Sequence, residues 1–264
     1  MRTRTFVLAL AVALLAALAI APAANALKAS VRAEGTTYQV VPTTIVTMSA
    51  QRQAVTDTAG HSYTNAEVNA ATAANALYWA TERRGITWDF GVGSFGLFIN
   101  SIGGLSADST TFANWWEVTV NGFAPPIGVG SLPAKAGDSY VLFQNPDAGY
   151  PPHGGKLLLV RVSAAAVKKG RVLRITVVGD DLAKVNGAAD ATRFGATAIE
   201  TPAQFRTVDG ATLHVGNRVY ALTGSSLIIK NLPVGTFAVW AEKGMDATWV
   251  YARSAKTIVK VVSH

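Results

Sequence analysis

Residues 91–96 read Gly-Val-Gly-Ser-Phe-Gly, the G-x-G-x-x-G spacing whose backbone amides can cradle the pyrophosphate of a dinucleotide. Four histidines could act as bases or metal ligands: His61, His153, His214 and His264. None stands at an H-x-x-x-H spacing, and no G-x-S-x-G elbow accompanies them, although catalytic partners can also assemble from distant residues. Asp180-Asp181 offers two carboxylates to a calcium ion, but Asp pairs are also common where a strand runs into a turn. Trp115, Glu117, Asn121 and Phe123, in the run Trp-Trp-Glu-Val-Thr-Val-Asn-Gly-Phe, combine flat apolar surface with hydrogen-bonding groups. Such a set suits binding a ligand better than bond chemistry.

The glycine motif has to be judged by the elements around it. A dinucleotide site needs a strand before the glycines and a helix after them, so that helix N-terminal amides face the phosphates. Here the order is reversed. Thr64-Asn-Ala-Glu67 is a T-x-x-E capping box, and Ala66, Ala70, Ala73, Leu77 and Ala80 recur at helical steps. This helix ends at Gly85, with Arg83 and Arg84 at the negative end of its dipole. After the glycines comes Leu-Phe-Ile-Asn-Ser-Ile, which reads as a strand, and then a Gly/Ser/Thr-rich loop. Glu117 stands about 20 residues on, where a ribose-binding acid would be, but no crossover helix separates it from the glycines. The motif therefore reads as a tight turn entering a strand.

The chain opens with Arg2 and Arg4, continues through the apolar block from Phe6 to Ile20, and reaches Ala24-Asn25-Ala26. This is the order of a secretory signal peptide, with cleavage expected after Ala26 and a secreted mature chain. Pro22 interrupts the block before it attains the roughly 20 apolar residues of a spanning helix, and no later stretch does. There are no cysteines, so the fold needs neither a disulfide framework nor a lipid-modified cysteine. The formal net charge is +7, falling to +5 once Arg2 and Arg4 are removed, and the basic residues are scattered. A nucleic-acid face would instead need a basic stripe interleaved with aromatics. The expected product is a monomer with no transmembrane anchor after cleavage.

Two folded units are expected after the leader (residues 1–26): one over 27–146 and one over 156–264. The Pro/Gly-rich linker at 147–155 separates them. In the first, the Val/Thr/Ile-rich run near residues 30–48 is strand material, with Pro42 marking an edge or bend. Alternation places Trp116, Val118 and Val120 on one face of a strand and Trp115, Glu117 and Thr119 on the other. Asn121-Gly122 supplies the positive φ angles of a tight hairpin turn, and Gly137-Asp138 precedes a last strand. The second unit is short β-rich runs and turns throughout: Leu-Leu-Leu-Val-Arg-Val, Arg-Ile-Thr-Val-Val, Thr-Leu-His-Val, Ser-Leu-Ile-Ile and Thr-Phe-Ala-Val-Trp. The fold class is thus mainly β: a small sheet with one helix, followed by an antiparallel sandwich.

Residues about 28–145 resemble the transcobalamin C-terminal-like domain, a small module of exported and surface proteins. The residues that carry the resemblance are Ala76-Leu77, Ile102-Gly103-Gly104, Trp116 with Val120-Asn121-Gly122, the Gly128 loop and Gly137-Asp138. One departure is that the positions just before Val120, often aromatic in the family, are Val118 and Thr119. The resemblance implies a β-grasp-like sheet crossed by one helix, and it makes a corrinoid a ligand to consider, though the helical barrel of the cobalamin carriers is absent. In the second unit, Asp209-Gly-Ala-Thr-Leu213 and Leu232-Pro-Val-Gly-Thr-Phe-Ala-Val239 resemble the carboxypeptidase-regulatory-like, transthyretin-like sandwich, which implies a structural or adhesive extension.

Function is accordingly expected to be that of an exported non-catalytic module of the cell envelope or extracellular space. It requires no cofactor and binds a small ligand, a glycan or a surface protein. The competing expectation is an enzyme or accessory protein acting on cell-envelope material. With one helix to cover one face of the sheet, Trp115 is expected on the open face, near the 106–114 loop and Phe123, unless it packs against the second unit.

Overall fold

The computed structural model describes residues 26–48, 55–63, 68, 71–93, 96–111, 113–122, 125, 127–147, 154–181 and 206–263. The leader, the capping box at Thr64–Glu67, Phe123, His153 and His264 lie outside the described residues. Among the described residues the fold is mainly β with one helix. The first part contains β1 (Leu27–Glu34), β2 (Gln39–Met48), β3 (Val55–Thr56), β4 (Ser62–Tyr63), helix α1 (Ala73–Glu82), β5 (Trp88–Gly93), β6 (Gly96–Ile102), β7 (Leu105–Ser106), β8 (Trp115–Val120) and β9 (Ser139–Asn145). The second contains β10 (Gly154–Val162), β11 (Ala166–Lys168), β12 (Leu173–Asp181), β13 (Arg206–Thr207), β14 (Thr212–Val215), β15 (Arg218–Ala221), β16 (Ser226–Ile229), β17 (Gly235–Glu242), β18 (Trp249–Ala252) and β19 (Thr257–Val262).

In the first sheet the order is β2-β1-β9-β8, with β1 and β9 parallel and the other pairs antiparallel. Pro42 lies in β2, the edge strand, where a missing N–H removes no ladder bond that the sheet needs. Ala29, Val31 and Ala33 of β1 point to the side where α1 packs, and Ala73, Ala76, Leu77 and Ala80 of the helix are buried against them. The alanine stripe lets helix and sheet approach closely. Thr72 is the N-cap, its side chain accepting from the Asn75 amide at 3.5 Å, and the helix terminates before Gly85, whose φ is +60°.

The glycine motif is a β-hairpin. Gly93 pairs with Gly96, and β5-β6-β7 form a small sheet beside the first one. Asn121 and Gly122 have φ of +53° and +84°, as a primed turn requires, but β8 returns to pair with β9 only after the loop 121–138. That loop carries Leu132 and Val129 into the core, which a two-residue turn could not do.

The second part is a sandwich. One sheet runs β13-β12-β10-β18 with β16 also on β12, and the other runs β11-β19-β17-β14-β15. Most pairs are antiparallel; β10 with β18 and β11 with β19 are parallel, each joining segments far apart in the chain. Leu158, Leu173, Ile175 and Val177 face Leu213, Val215, Val239, Ala241 and Val259 across its core.

A third cluster joins the two parts. Val141 and Phe143, on the face of the first sheet opposite α1, pack with Leu157, Val250 and Ala252 on the outer face of the sandwich. The molecule is therefore layered: helix and small sheet, first sheet, then the two sandwich sheets. The face expected to be open at Trp115 is covered along β9 by this contact. Thr119, on that face, is fully buried and its hydroxyl donates to the Val141 carbonyl at 3.1 Å.

Candidate functional site

Cross-strand geometry builds a cleft at the edge of the first sheet. Trp115 is the first residue of β8, half-buried, and its indole stacks on the Phe98 ring of β6 with centroids 5.4 Å apart and planes at 23°. Phe98 reaches that position across Gly91, its partner in the β5-β6 ladder. A Cβ on Gly91 would lie 2.4 Å from Phe98 Cζ, so the glycine is what leaves room for the ring. Trp116 points the other way, into the core, and its Nε1 donates to the Leu105 carbonyl at 3.0 Å, fixing β8 against β7.

The resulting cleft has a volume of about 340 Å3, with Phe98, Trp115 and Glu117 on the strand side and Pro125, Ile127 and Val129 from the following loop. Among the described residues, Glu117 is the one ionisable group lining it. Burial pushes the Glu117 carboxyl above the usual carboxylate range, and a 2.5 Å hydrogen bond from Asn145 Nδ2 only partly opposes this. A carboxyl accepts hydrogen bonds in either protonation state, so it offers a partner to a ligand's N–H or O–H. With no second carboxylate, histidine or nucleophile among the described lining residues, the arrangement can bind and orient a ligand; a proton relay or covalent step has no partner there.

Three of the four residues singled out by sequence are described; Phe123 lies outside the described residues. Trp115 and Glu117 line the cleft together, two residues apart on one strand. Asn121 stands at the far end of β8, where its side chain ties the turn: Nδ2 donates to Asp138 Oδ1 at 3.0 Å, and Oδ1 accepts from the Ser139 amide at 2.9 Å. Phe98, Pro125, Ile127 and Val129 escaped sequence reasoning. Their signal was present only for Phe98, as the residue two beyond the last glycine of the motif.

Asp57, His61 and Asp89 form a second cluster, with ligand atoms within 4.8 Å of one another, and so are, among the described residues, those that could hold a metal ion. Asp57-x-x-x-His61 is a spacing that a search among histidines alone passes over. Its donors already have partners. Asp57 Oδ1 accepts from the Ala59 and His61 amides, each at 2.9 Å, while Oδ2 lies 3.2 Å from His61 Nδ1 and 2.9 Å from the Tyr63 hydroxyl. Burial alone would push the Asp57 carboxyl up, but these hydrogen bonds, the His61 amide first, hold it below the usual range. This is the pattern of an Asx turn closing the β3-β4 hairpin, and a cation would have to displace it. Asp180 and Asp181 are the last two residues of β12.

Residues 70–144 match the family described as a domain of unknown function, DUF4430. That stretch contains α1, β5 to β8, β9 but for its last residue, and every described residue lining the cleft. A solved structure, a candidate metal-binding protein from Ruminococcus gnavus ATCC 29149, is similar to 46% of this chain over 98% of its own length, at 16% identity and a TM-score of 0.29. That superposition is too loose to carry an argument about fold or ligand. No curated protein sequence matches the chain. No helix among the described residues is long and apolar enough to cross a membrane.

Proposed function

We propose that the protein is an exported, non-catalytic binding module, and that the cleft beside Trp115 takes a flat, largely apolar ligand with one hydrogen-bonding group directed at Glu117. The observation that carries this reading is the Phe98–Trp115 stack with the half-buried Glu117 carboxyl two residues along the same strand. Aromatic walls with a single placed polar group are the usual composition of a small-molecule pocket, and about 340 Å3 lies at the lower end of the usual range. A corrinoid, the ligand the transcobalamin-like resemblance brings forward, is larger than this cleft and would be gripped along one edge.

The experiment is a titration of the purified protein with naphthol, haem and cyanocobalamin, followed by tryptophan emission and calorimetry. A saturable response to at least one of them, lost in Trp115→Ala without a fall in melting temperature, supports the reading. If none saturates, or if the response survives Trp115→Ala, the cleft is not the site.

A further inference from the structure

A second recess lies at the seam between the two parts, away from Trp115. Glu34, the last residue of β1, and Arg253, just beyond β18, meet there. On one side of them is a cleft of about 350 Å3, bordered by Gln144, Thr212, Glu242, Lys243 and Tyr251. On the other is one of about 230 Å3, bordered by Tyr38, Gln39, Trp240, Ser254 and Lys256. Glu34 and Arg253 border both, so the two clefts share a wall across the seam.

Apart from the exposed Lys256, the charges around that wall are matched in place. Arg32 Nη1 lies 2.9 Å from Glu34 Oε1, Arg253 Nε lies 3.3 Å from Glu242 Oε2, and Lys243 lies 3.1 Å from Asp246. Arg253 also donates to the Gly35 carbonyl at 2.9 Å, and Arg32 to the carbonyl of Arg253. One group is left over: Glu34 Oε2 is buried and accepts no hydrogen bond from the described residues, among which Arg253 Nη1, at 3.9 Å, is its ion-pair partner. Buried acceptors are almost always satisfied, by protein, water or ligand. At the far end the chemistry changes. The Tyr38 side chain is half exposed, and Trp240 is held in plane by the His214 ring stacked on it at 3.7 Å and 4°.

Aromatic faces at one end and paired charges with amides through the middle suit a neutral polyhydroxyl chain. The C–H face of a sugar ring stacks on an aromatic plane, while its hydroxyls both donate and accept among groups such as Glu34, Gln39 and Gln144. An anion would meet Glu34 and Glu242, a cation would meet Arg253 and Lys243, and a planar apolar ligand would strand the polar groups without partners. We propose that the two clefts, one on either side of Glu34 and Arg253, together bind a neutral linear oligosaccharide. One ring stacks at Tyr38 and Trp240, and the following rings pass Glu34 and Arg253 toward Lys243.

The test uses the purified protein with chitohexaose, cellohexaose and maltohexaose, read by calorimetry and tryptophan emission. At least one should bind saturably, and Tyr38→Ala and Trp240→Ala should each weaken that sugar about tenfold or more. Tyr38→Ala should leave the melting temperature unchanged, since its side chain is half exposed; this variant decides the matter if Trp240→Ala unfolds. Trp115→Ala should bind as the wild type does. The proposal is overturned if no sugar binds up to about 10 mM, an affinity weaker than any useful site. It is equally overturned if binding survives Tyr38→Ala and Trp240→Ala, or is lost in Trp115→Ala, which would place the sugar in the other cleft.

Discussion

Phe98 lies across Gly91, not beside it: the ring of one residue occupies the space where the other would carry a side chain, and this lets Phe98 stack on Trp115. A glycine that first reads as part of a phosphate loop thus shapes one wall of an apolar cleft.

Gly91→Ala tests that relationship. The new methyl must push Phe98 off Trp115, because the ring is the movable partner and the β5-β6 ladder is not. Overpacking of this kind costs about 1–3 kcal/mol. The Trp115 indole should become more exposed, so tryptophan emission should shift to the red along with a lower urea midpoint. Unchanged emission would mean that the stack does not depend on the glycine.

Glu117 gives a pH signature. Its folded pKa is raised by burial, so its contribution to stability is fully present below the unfolded pKa, near 4.3, and is lost as pH rises through the higher folded value. Glu117→Gln keeps an acceptor for Asn145 and removes the buried charge. The variant should therefore match the wild type in melting temperature at low pH and exceed it at neutral pH. Parallel curves across the range would show that Glu117 is well solvated.

Much of this was legible in the sequence. The Ala73, Leu77 and Ala80 stripe, the opposed faces of Trp115 and Trp116, and the turns at Asn121-Gly122 and Gly137-Asp138 follow from periodicity and φ preference, which are local properties. What stayed hidden is non-local. Nothing in residues 27–34 says that their neighbour is β9, in parallel, or that Arg32 and Glu34, which alternate as solvent-facing residues should, will be covered by the sandwich. The four-residue strands β15 and β18 are not singled out by pattern, whereas β14 and β16, of the same length, are: their Leu-His-Val and Leu-Ile-Ile are the stronger β-type runs. The cleft residues Pro125, Ile127 and Val129 lie in a loop whose path depends on that same long-range pairing.

The seam should hold the two parts together even when the chain between them is cut. Proteolysis within 147–155 is expected to give two fragments, as a Pro/Gly-rich connection permits. They should co-elute on gel filtration, because Val141 and Phe143 remain packed on Leu157 and Val250. Arg32→Met should cost about 3–5 kcal/mol by leaving the buried Glu34 with the Gln39 amide and the more distant Arg253 as its partners, and Glu34→Leu added to it should restore most of the loss. Fragments that separate freely, or a double variant no better than the single one, would remove the buried pair from the account of this interface.

The Asp57 cluster is predicted to be a structural turn, and metal and acid distinguish that from a cation site. Asp57 is buried and receives hydrogen bonds from two backbone amides, so Asp57→Asn, which turns one acceptor oxygen into a donor facing the Tyr63 hydroxyl and the His61 ring, should destabilise by about 1–3 kcal/mol. The folded pKa of Asp57 is depressed, so its contribution is present above the unfolded value, near 3.9, and is lost as pH falls through the lower folded one. The gap between wild type and Asp57→Asn should therefore be full at neutral pH and shrink on acidification. Neither EDTA nor added zinc or calcium should move the wild-type melting temperature, because the carboxylate that would bind the ion already closes the β3-β4 hairpin. A rise of several degrees with one of these ions, abolished in Asp57→Asn and in His61→Ala alike, would show that the hydrogen bonds yield to a metal.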